Sequence, residues 1–395
     1  MYNFSLLIGL LALLASAYSL YLGYDFDRKT SQALLRPTGG FQPKVCLIVP
    51  CKGKEPHLEE NIRAILNQEY HDYETVIVTD TTEDPAVSIA KAAMAQSPAS
   101  KAQLRTSEAY VGASGKVAAL LTVLKTTHGK FDAYAFADSD SNLPSRWLAD
   151  LVGPLGDQSV GATTGFRWYF SQGGFWSHVE AAWNAAGTNL MFNDRYNFPW
   201  GGAMAIRSET LDKIGIERLW SKAISDDMTL NLALRKHGFR IVFLPQCTAA
   251  TFHETKMQNL LEWAIRQTSL TRIFNRGLWN YAAAAYAFFN FTFLIGVASA
   301  VLGTFLNPIW FLPAVLLLLP SFFGILRSYQ RSGTFARALP ELEHEFHKTR
   351  VLDSMASFIV PWIMTYCIIR SAQTHEIVWR GRLYKLTGLI PNAAP

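Results

Sequence analysis

Residues Phe131–Leu143 read FDAYAFADSDSNL. Ala133, Tyr134, Ala135, Phe136 and Ala137 are apolar on both faces of an extended chain, as a buried parallel strand requires. The run stops at Asp138-Ser139-Asp140, and Asn142 and Pro144 open what reads as the next helix. In an open α/β sheet, ligands bind outside the carboxyl ends of strands. Two carboxylates at that place can hold a divalent cation, and the cation can hold a diphosphate. Asp also caps helices in such loops, so the pair alone leaves a structural reading open.

Upstream, Lys44–Pro50 (KVCLIVP) reads as a first buried strand, followed by the short basic loop Cys51-Lys52-Gly53-Lys54. Leu58, Ile62, Ile65 and Leu66 have helical spacing. Tyr73–Thr79 is a second strand ending at Asp80, and Pro85 suits the helix start that follows. Ala102–Ser107 reads as a shorter strand. Gly112–Lys116 (GASGK) precedes the helical run Val117–Leu124, a loop suited to a phosphate or an acidic sugar donor. It lacks the spacing of a Walker A loop. Strand and helix thus alternate with short connections, which argues for a mostly parallel α/β sheet. Two of its strand ends carry Asp.

Downstream, Val160–Phe170 reads as one strand, Phe175–Phe192 as a helix and Trp200–Ile206 as a short strand led by Gly201 and Gly202. Those glycines either make a plain turn or let the backbone approach a ligand. Ser225-Asp226-Asp227 precedes a helix over Met228–Lys236. One Asp suffices as a cap, and the helix dipole stabilises a second, so a structural and a catalytic reading both stand. Phe239–Pro245 is a further strand.

Composition points to a membrane. Of 395 residues half are hydrophobic and 17% are charged, against roughly 25% in soluble domains, and there are 11 Trp and 25 Phe. A net charge of +5 without a long basic run argues against nucleic acid as a partner. The four cysteines form no C-x-x-C pair, which argues against a zinc site or a disulfide framework and fits a reducing cytosol. Tyr2–Tyr24 is long and apolar enough to span a bilayer, and the absence of a positive n-region favours an anchor over a cleaved signal. Arg28, Lys29, Arg36 and Lys44 follow it and put the next domain in the cytoplasm. Gln258–Arg276 reads as an amphipathic helix at the membrane interface. Tyr281–Phe305 and Ile309–Leu326 read as spans. Val351–Ile369, interrupted by Pro361, is either a span or a re-entrant stretch. The tail Trp379–Tyr384 (WRGRLY) is aromatic and basic.

In this order the residues resemble the inverting glycosyltransferases of the family 2 type, and within them the ceramide glucosyltransferases and their bacterial relatives. Asp80 in VTDTTEDPA resembles the family's first aspartate motif, Asp138-Ser139-Asp140 its D-x-D, and Asp226-Asp227 its acidic pair. WRGRLY resembles the C-terminal signature of the ceramide glucosyltransferase group. On the interface helix the family carries [Q/R]-x-x-R-W; here the place reads Trp263-Ala-Ile-Arg266-Gln267, keeping Arg266 and replacing the Trp by Gln267.

The resemblance implies a GT-A-type, mostly parallel α/β domain with an N-terminal transmembrane anchor and C-terminal interfacial and transmembrane helices. Its boundaries fall at 1–26 for the anchor, 40–254 for the cytoplasmic glycosyltransferase domain, 255–278 for the interface helix, 279–371 for the membrane segments and 372–395 for the tail. The implied reaction moves a hexose, glucose first among the candidates, from a UDP-sugar to a membrane lipid hydroxyl: ceramide-like, diacylglycerol or hopanoid. Asp227 is the implied base and Asp226 tunes or orients it. Asp140 holds Mg²⁺ or Mn²⁺, with Asp138 on the metal or the ribose. Asp80 and Lys116 bind the nucleotide, and Arg266, Gln267, Arg380 and Arg382 lie on the diphosphate or acceptor side. Headgroup anchoring is an equal reading for the last two. If they reach the site, Val351–Ile369 does not fully span. The implied setting is a multi-pass protein, in a bacterial inner membrane rather than an organelle. A processive polysaccharide synthase is one alternative, which the altered Trp position and the few spans disfavour. A non-catalytic membrane protein that binds sugar nucleotides is another. A transporter is disfavoured because Tyr281–Leu326 contains no charged residue.

Overall fold

The computed structural model describes residues 1–36, 40–98 and 100–386. They form two compact units, one gathering the described residues of 32–169, 190–253 and 375–386, the other Met1–Ser31, Phe170–Asn189 and Glu254–Thr374.

The first unit is built on a sheet. In chain order the strands of the protein are β1 (Val45–Cys51), β2 (Tyr73–Thr79), β3 (Ala102–Thr106), β4 (Ala133–Ala137), β5 (Val160–Thr164), β6 (Arg167–Ser171), β7 (Ala203–Arg207), β8 (Arg240–Phe243), β9 (Ala249–His253), β10 (Glu376–Trp379) and β11 (Arg382–Lys385). Seven make one sheet in the order β3-β2-β1-β4-β7-β5-β8. β1 runs parallel to β2 and β4, β2 to β3, and β5 to β8. β7 is antiparallel to both its neighbours. The apolar runs are explained by burial on both faces. Leu47 and Val49 pack into one cluster and Cys46 and Ile48 into another, all fully enclosed. Each such aliphatic side chain contributes roughly 1.5–3 kcal/mol by leaving water.

The topology sets the site. The carboxyl ends of β1, β2 and β4 open on one edge, so the loops beginning at Lys52, Asp80 and Asp138 are neighbours. The antiparallel β7 starts at that same edge, because Ala203 pairs with Ala137, which brings Gly201 and Gly202 there too.

One expected strand is two. The run read as Val160–Phe170 breaks at Gly165, where β5 leaves the main sheet and β6 pairs with β9 instead. Gly165 donates its N–H to Ala203 O at 2.8 Å, and a Cβ there would meet Cys247 O at 1.9 Å. Only glycine fits so close a backbone approach. Hydrophobicity continues across the break, so periodicity alone does not reveal it.

The second unit is helical. Tyr2–Leu34, Arg276–Phe305 and Pro308–Ala338 are long and apolar enough to cross a membrane. The helix expected at the membrane interface runs over Met257–Phe274 and ends at Asn275, whose side chain caps the next helix through Leu278 N. Glycines let the apolar helices pack closely: a Cβ on Gly9 would lie 2.8 Å from Leu316 Cβ. Asn290 donates to Thr365 Oγ1 at 2.8 Å. The stretch read as Val351–Ile369 falls on two helices, Glu343–Ala356 and Val360–Gln373. The pair Pro340–Ala356 and Val360–Gln373 is bent by 65° at its break, as in a broken span or a re-entrant loop.

Candidate active site

Two cations organise the end of β4. Lys116, on the helix Gly115–Thr127, approaches Asp138 Oδ1 at 2.7 Å, Gly201 O at 3.1 Å and Asp226 Oδ2 at 3.2 Å. Ser114 caps that helix by accepting from Val117 N, which orients its first turn toward the sheet edge. Burial alone pushes the Lys116 ammonium down, but Asp138 and Asp226 outweigh it and hold it protonated. Arg167, delivered by the Gly165 break, donates to Asp138 Oδ2 at 2.7 Å and grips Asp140 with both terminal nitrogens, at 2.7 and 3.1 Å. Its guanidinium also lies 4.9 Å from the ring centre of Trp200. Burial raises the Asp138 carboxyl, yet Lys116 and Arg167 prevail and hold it below the usual carboxylate range.

Asp226 and Asp227 open the helix Asp226–Lys236, and Ser225 is its cap. The helix therefore starts two residues earlier than expected, and both carboxylates sit in the first turn. Asp227 Oδ1 accepts from Met228 N at 2.7 Å and from Ser225 Oγ. Its carboxyl is nonetheless pushed up to about 6, first by burial and then by the charge of Asp226. Asp226 is buried, and the space above it is closed by backbone. A Cβ on Gly201 would stand 2.2 Å from Asp226 Oδ2, and one on Gly202 2.6 Å from Asp138 Oδ2. Both glycines are thus close-approach positions, not plain turn residues.

The tail completes the cluster. β10 and β11 pair as an antiparallel hairpin with Trp379 opposite Arg382. Its two-residue turn, Arg380-Gly381, has φ of +50° and +76°, the positive values that primed hairpin turns need. A left-handed arginine is strained by roughly 1–2 kcal/mol, and Arg380 is held there. It forms an ion pair with Glu55, it donates to Lys52 O at 3.4 Å, and its carbonyl accepts from Lys52 Nζ at 3.3 Å. Arg382 reaches Asp80 at 3.2 Å, and Lys52 reaches the same Asp80 oxygen at 2.8 Å. Tyr384 Oη accepts from Gly115 N at 3.4 Å. Glu55 also accepts from Ser139 Oγ at 2.8 Å. Burial and the charge of Asp140 raise its carboxyl, against the pull of Arg380.

Asp80, Lys116, Asp138, Asp140, Asp226, Asp227, Arg380 and Arg382 therefore all lie in the sheet unit, at one sheet edge. Arg266 and Gln267 lie in the helical unit, on Met257–Phe274. Sequence reasoning missed Arg167, Lys52 and Glu55. A single arginine in the aromatic run Phe166–Phe170 is the signal that could have marked Arg167.

Among the described residues no three His, Cys, Asp or Glu side chains converge on one point. Two carboxylates nevertheless fit a divalent cation that completes its shell with water and diphosphate oxygens. Asp138 and Asp140 are such a pair, and a guanidinium occupies their oxygens here.

Residues 6–388 match the model of glycosyl transferase family 21. Among solved structures, a mannosyltransferase from Pyrobaculum calidifontis in complex with GDP-Man and Mn²⁺ is similar over 93% of this chain and 98% of its own, at 19% identity and a TM-score of 0.48. A mycobacterial protein is similar over 59% of this chain and 74% of its own, at 16% identity and a TM-score of 0.36.

Proposed function

Starting from the chain's membership of glycosyl transferase family 21, we propose that it moves a hexose, glucose first among the candidates, from a UDP-sugar to the hydroxyl of a membrane lipid with inversion. The acceptor classes are ceramide-like lipids, diacylglycerol and hopanoids. The observation that carries this reading is Asp227: a carboxylate pushed up to about 6, at the start of a helix, one residue from the Asp226 that pairs with Lys116. A base of that strength is ionised at neutral pH and still takes a proton readily.

In this reading Asp227 accepts the proton of the lipid hydroxyl as its oxygen bonds to the anomeric carbon. The bond from that carbon to the diphosphate breaks on the opposite face. Ser225 and Met228 N keep Asp227 in place, and burial and the charge of Asp226 raise its proton affinity against the opposing pull of Lys116. Asp80 takes the uracil or ribose, and Lys116 supports the nucleotide. Arg380 and Arg382, with Lys52, are the cations for the diphosphate, since donor binding offers them a stronger partner than Glu55 and Asp80. Asp140, with Asp138 beside it, would hold Mg²⁺ or Mn²⁺, which when bound neutralises charge on the leaving group. Arg266 and Gln267 are assigned to the diphosphate or acceptor side, as the family resemblance implies. The setting proposed is a bacterial inner membrane with the sheet unit in the cytoplasm.

The test is transfer of label from UDP-sugars to a total lipid extract by membranes bearing the protein or its Asp227→Ala variant. A labelled lipid made by the parent and absent with the variant supports the reading, and its mass names the acceptor. Label held in an insoluble polymer, or no Asp227-dependent product with any donor, sinks it.

A further inference from the structure

The helix Phe311–Ala338 has no charged residue before Arg327, where its polar end begins. Arg327 and Arg331 are four residues apart, so their side chains lie one above the other on one face. Arg331 is only 9% exposed, and among the described residues its guanidinium makes no hydrogen bond or ion pair. Arg327 donates to Ser19 Oγ and, at 3.1 Å, to Asn189 Oδ1, and its Nε is buried with no acceptor. Both of those partners are neutral. Asp27, a carboxylate on the first helix, is taken by Thr334 and Arg337. The first helix packs closely here, with a Cβ on Gly23 standing 3.0 Å from Gln330 Oε1 and 3.5 Å from Arg327 Cγ.

Two enclosed guanidinium groups without a counter-charge are strongly unfavourable. An arginine that merely anchored a helix would extend its head into water, whereas Arg331 stays inside. We infer that Arg331 and Arg327 form a phosphate-binding site, filled by the headgroup phosphate of an anionic membrane lipid. Two stacked forks supply the paired donors that phosphate oxygens accept. The site lies where an apolar span turns polar, the level at which headgroup phosphates stand. It uses no residue assigned to sugar transfer, and it stands or falls apart from that reaction.

The test takes the full-length protein, purified and stripped of lipid, and measures bound lipid by native mass spectrometry together with the apparent Tm. The probes are phosphatidylglycerol, phosphatidylcholine and inorganic phosphate. The expected result is one phosphatidylglycerol per chain, bound at least tenfold more tightly than phosphatidylcholine and accompanied by a rise in Tm. Arg331→Gln should abolish that preference while raising the lipid-free Tm, because it removes an unbalanced charge. Arg331→Lys keeps the charge without the fork and should bind with intermediate affinity, which covers the case in which the Gln variant fails to fold. Arg337→Gln, removing a cation that Asp27 already neutralises, should leave the preference intact. Inorganic phosphate matching phosphatidylglycerol, with the same dependence on Arg331, would overturn the lipid source. Equal binding of both lipids, or a preference that survives both Arg331 variants, would overturn the site.

Discussion

Arg167 holds Asp140 by two hydrogen bonds, Nη2 to Oδ1 at 2.7 Å and Nη1 to Oδ2 at 3.1 Å, while the same Nη2 reaches Asp138 at 2.7 Å. The pair expected to hold a cation is thus already neutralised by one belonging to the chain. A divalent ion and this guanidinium cannot share those oxygens without rearrangement.

Arg167→Ala should therefore strip Asp140 of its ion-pair partner and leave Asp138 with Lys116 alone. Breaking such a cluster costs on the order of 3–5 kcal/mol, so the Tm should fall. Added Mn²⁺ should restore it, producing a larger Tm rise in the variant than in the parent without any nucleotide present. Equal Mn²⁺ shifts in both proteins would show that the ion does not use the oxygens Arg167 now holds.

With Asp227 as the proposed base, the reaction should carry a pH signature. Its carboxyl is raised to about 6, so the base becomes competent as pH rises through that value, and kcat/KM should climb to a plateau above it. Asp226→Asn removes the neighbouring charge that helps raise it, so the acid limb should move to lower pH. Asp227→Asn should lower kcat by about 10²–10⁴-fold, the usual span for a general base. The linkage sign is also fixed. A raised folded value means that the ionised form opposes folding above about pH 6, so the Asn variant should match the parent at pH 4 and melt higher at pH 8. A profile flat from pH 5 to 8, with no such Tm difference, would remove Asp227 from the role of base.

Much of this site was legible because its parts obey local rules. Asp80 and Asp138 follow unbroken apolar strands, and Ser225 announces its helix by cap chemistry. Family membership accords with the resemblance carried by those motifs and by WRGRLY. What stayed hidden depends on contacts distant in sequence. Arg167 reaches the site only because Gly165 packs on Cys247 O, and nothing local records that approach. Arg380 meets Glu55 across more than three hundred residues of chain. β7 runs antiparallel, which the glycine-led sequence Trp200–Ile206 does not disclose.

Gly201 and Gly202 test whether that backbone approach matters. A methyl group on Gly201 would fall 2.2 Å from Asp226 Oδ2 and 3.0 Å from Lys116 Nζ. The carboxylate cannot retreat, being buried with Lys116 already against it. Gly201→Ala should therefore displace Asp226 and reduce transfer at least tenfold. Gly215, at a helix end with nothing within 4 Å of its would-be Cβ but φ at +63°, serves as the control. Gly215→Ala should lower the Tm through backbone strain while leaving kcat unchanged. Full activity in Gly201→Ala would mean that the acidic pair tolerates movement and is not held for chemistry.

The tail hairpin offers a separation of stability from binding. Arg382 is half exposed, and Asp80 keeps Lys52 at 2.8 Å when Arg382 is removed. Exposed ion pairs of this kind contribute about 0.2–1 kcal/mol, so Arg382→Ala should barely change the Tm. If the guanidinium turns from Asp80 to the donor diphosphate, the same substitution should raise KM for the nucleotide sugar about tenfold or more, since charge-assisted hydrogen bonds to phosphate are the strong ones. Arg382→Lys should recover part of the loss, because it returns the charge without the paired donors. The measurement is donor KM at saturating acceptor, beside affinity for UDP alone by calorimetry. An Arg382→Ala protein with parental KM and parental UDP affinity would return this arginine to a purely structural contact with Asp80.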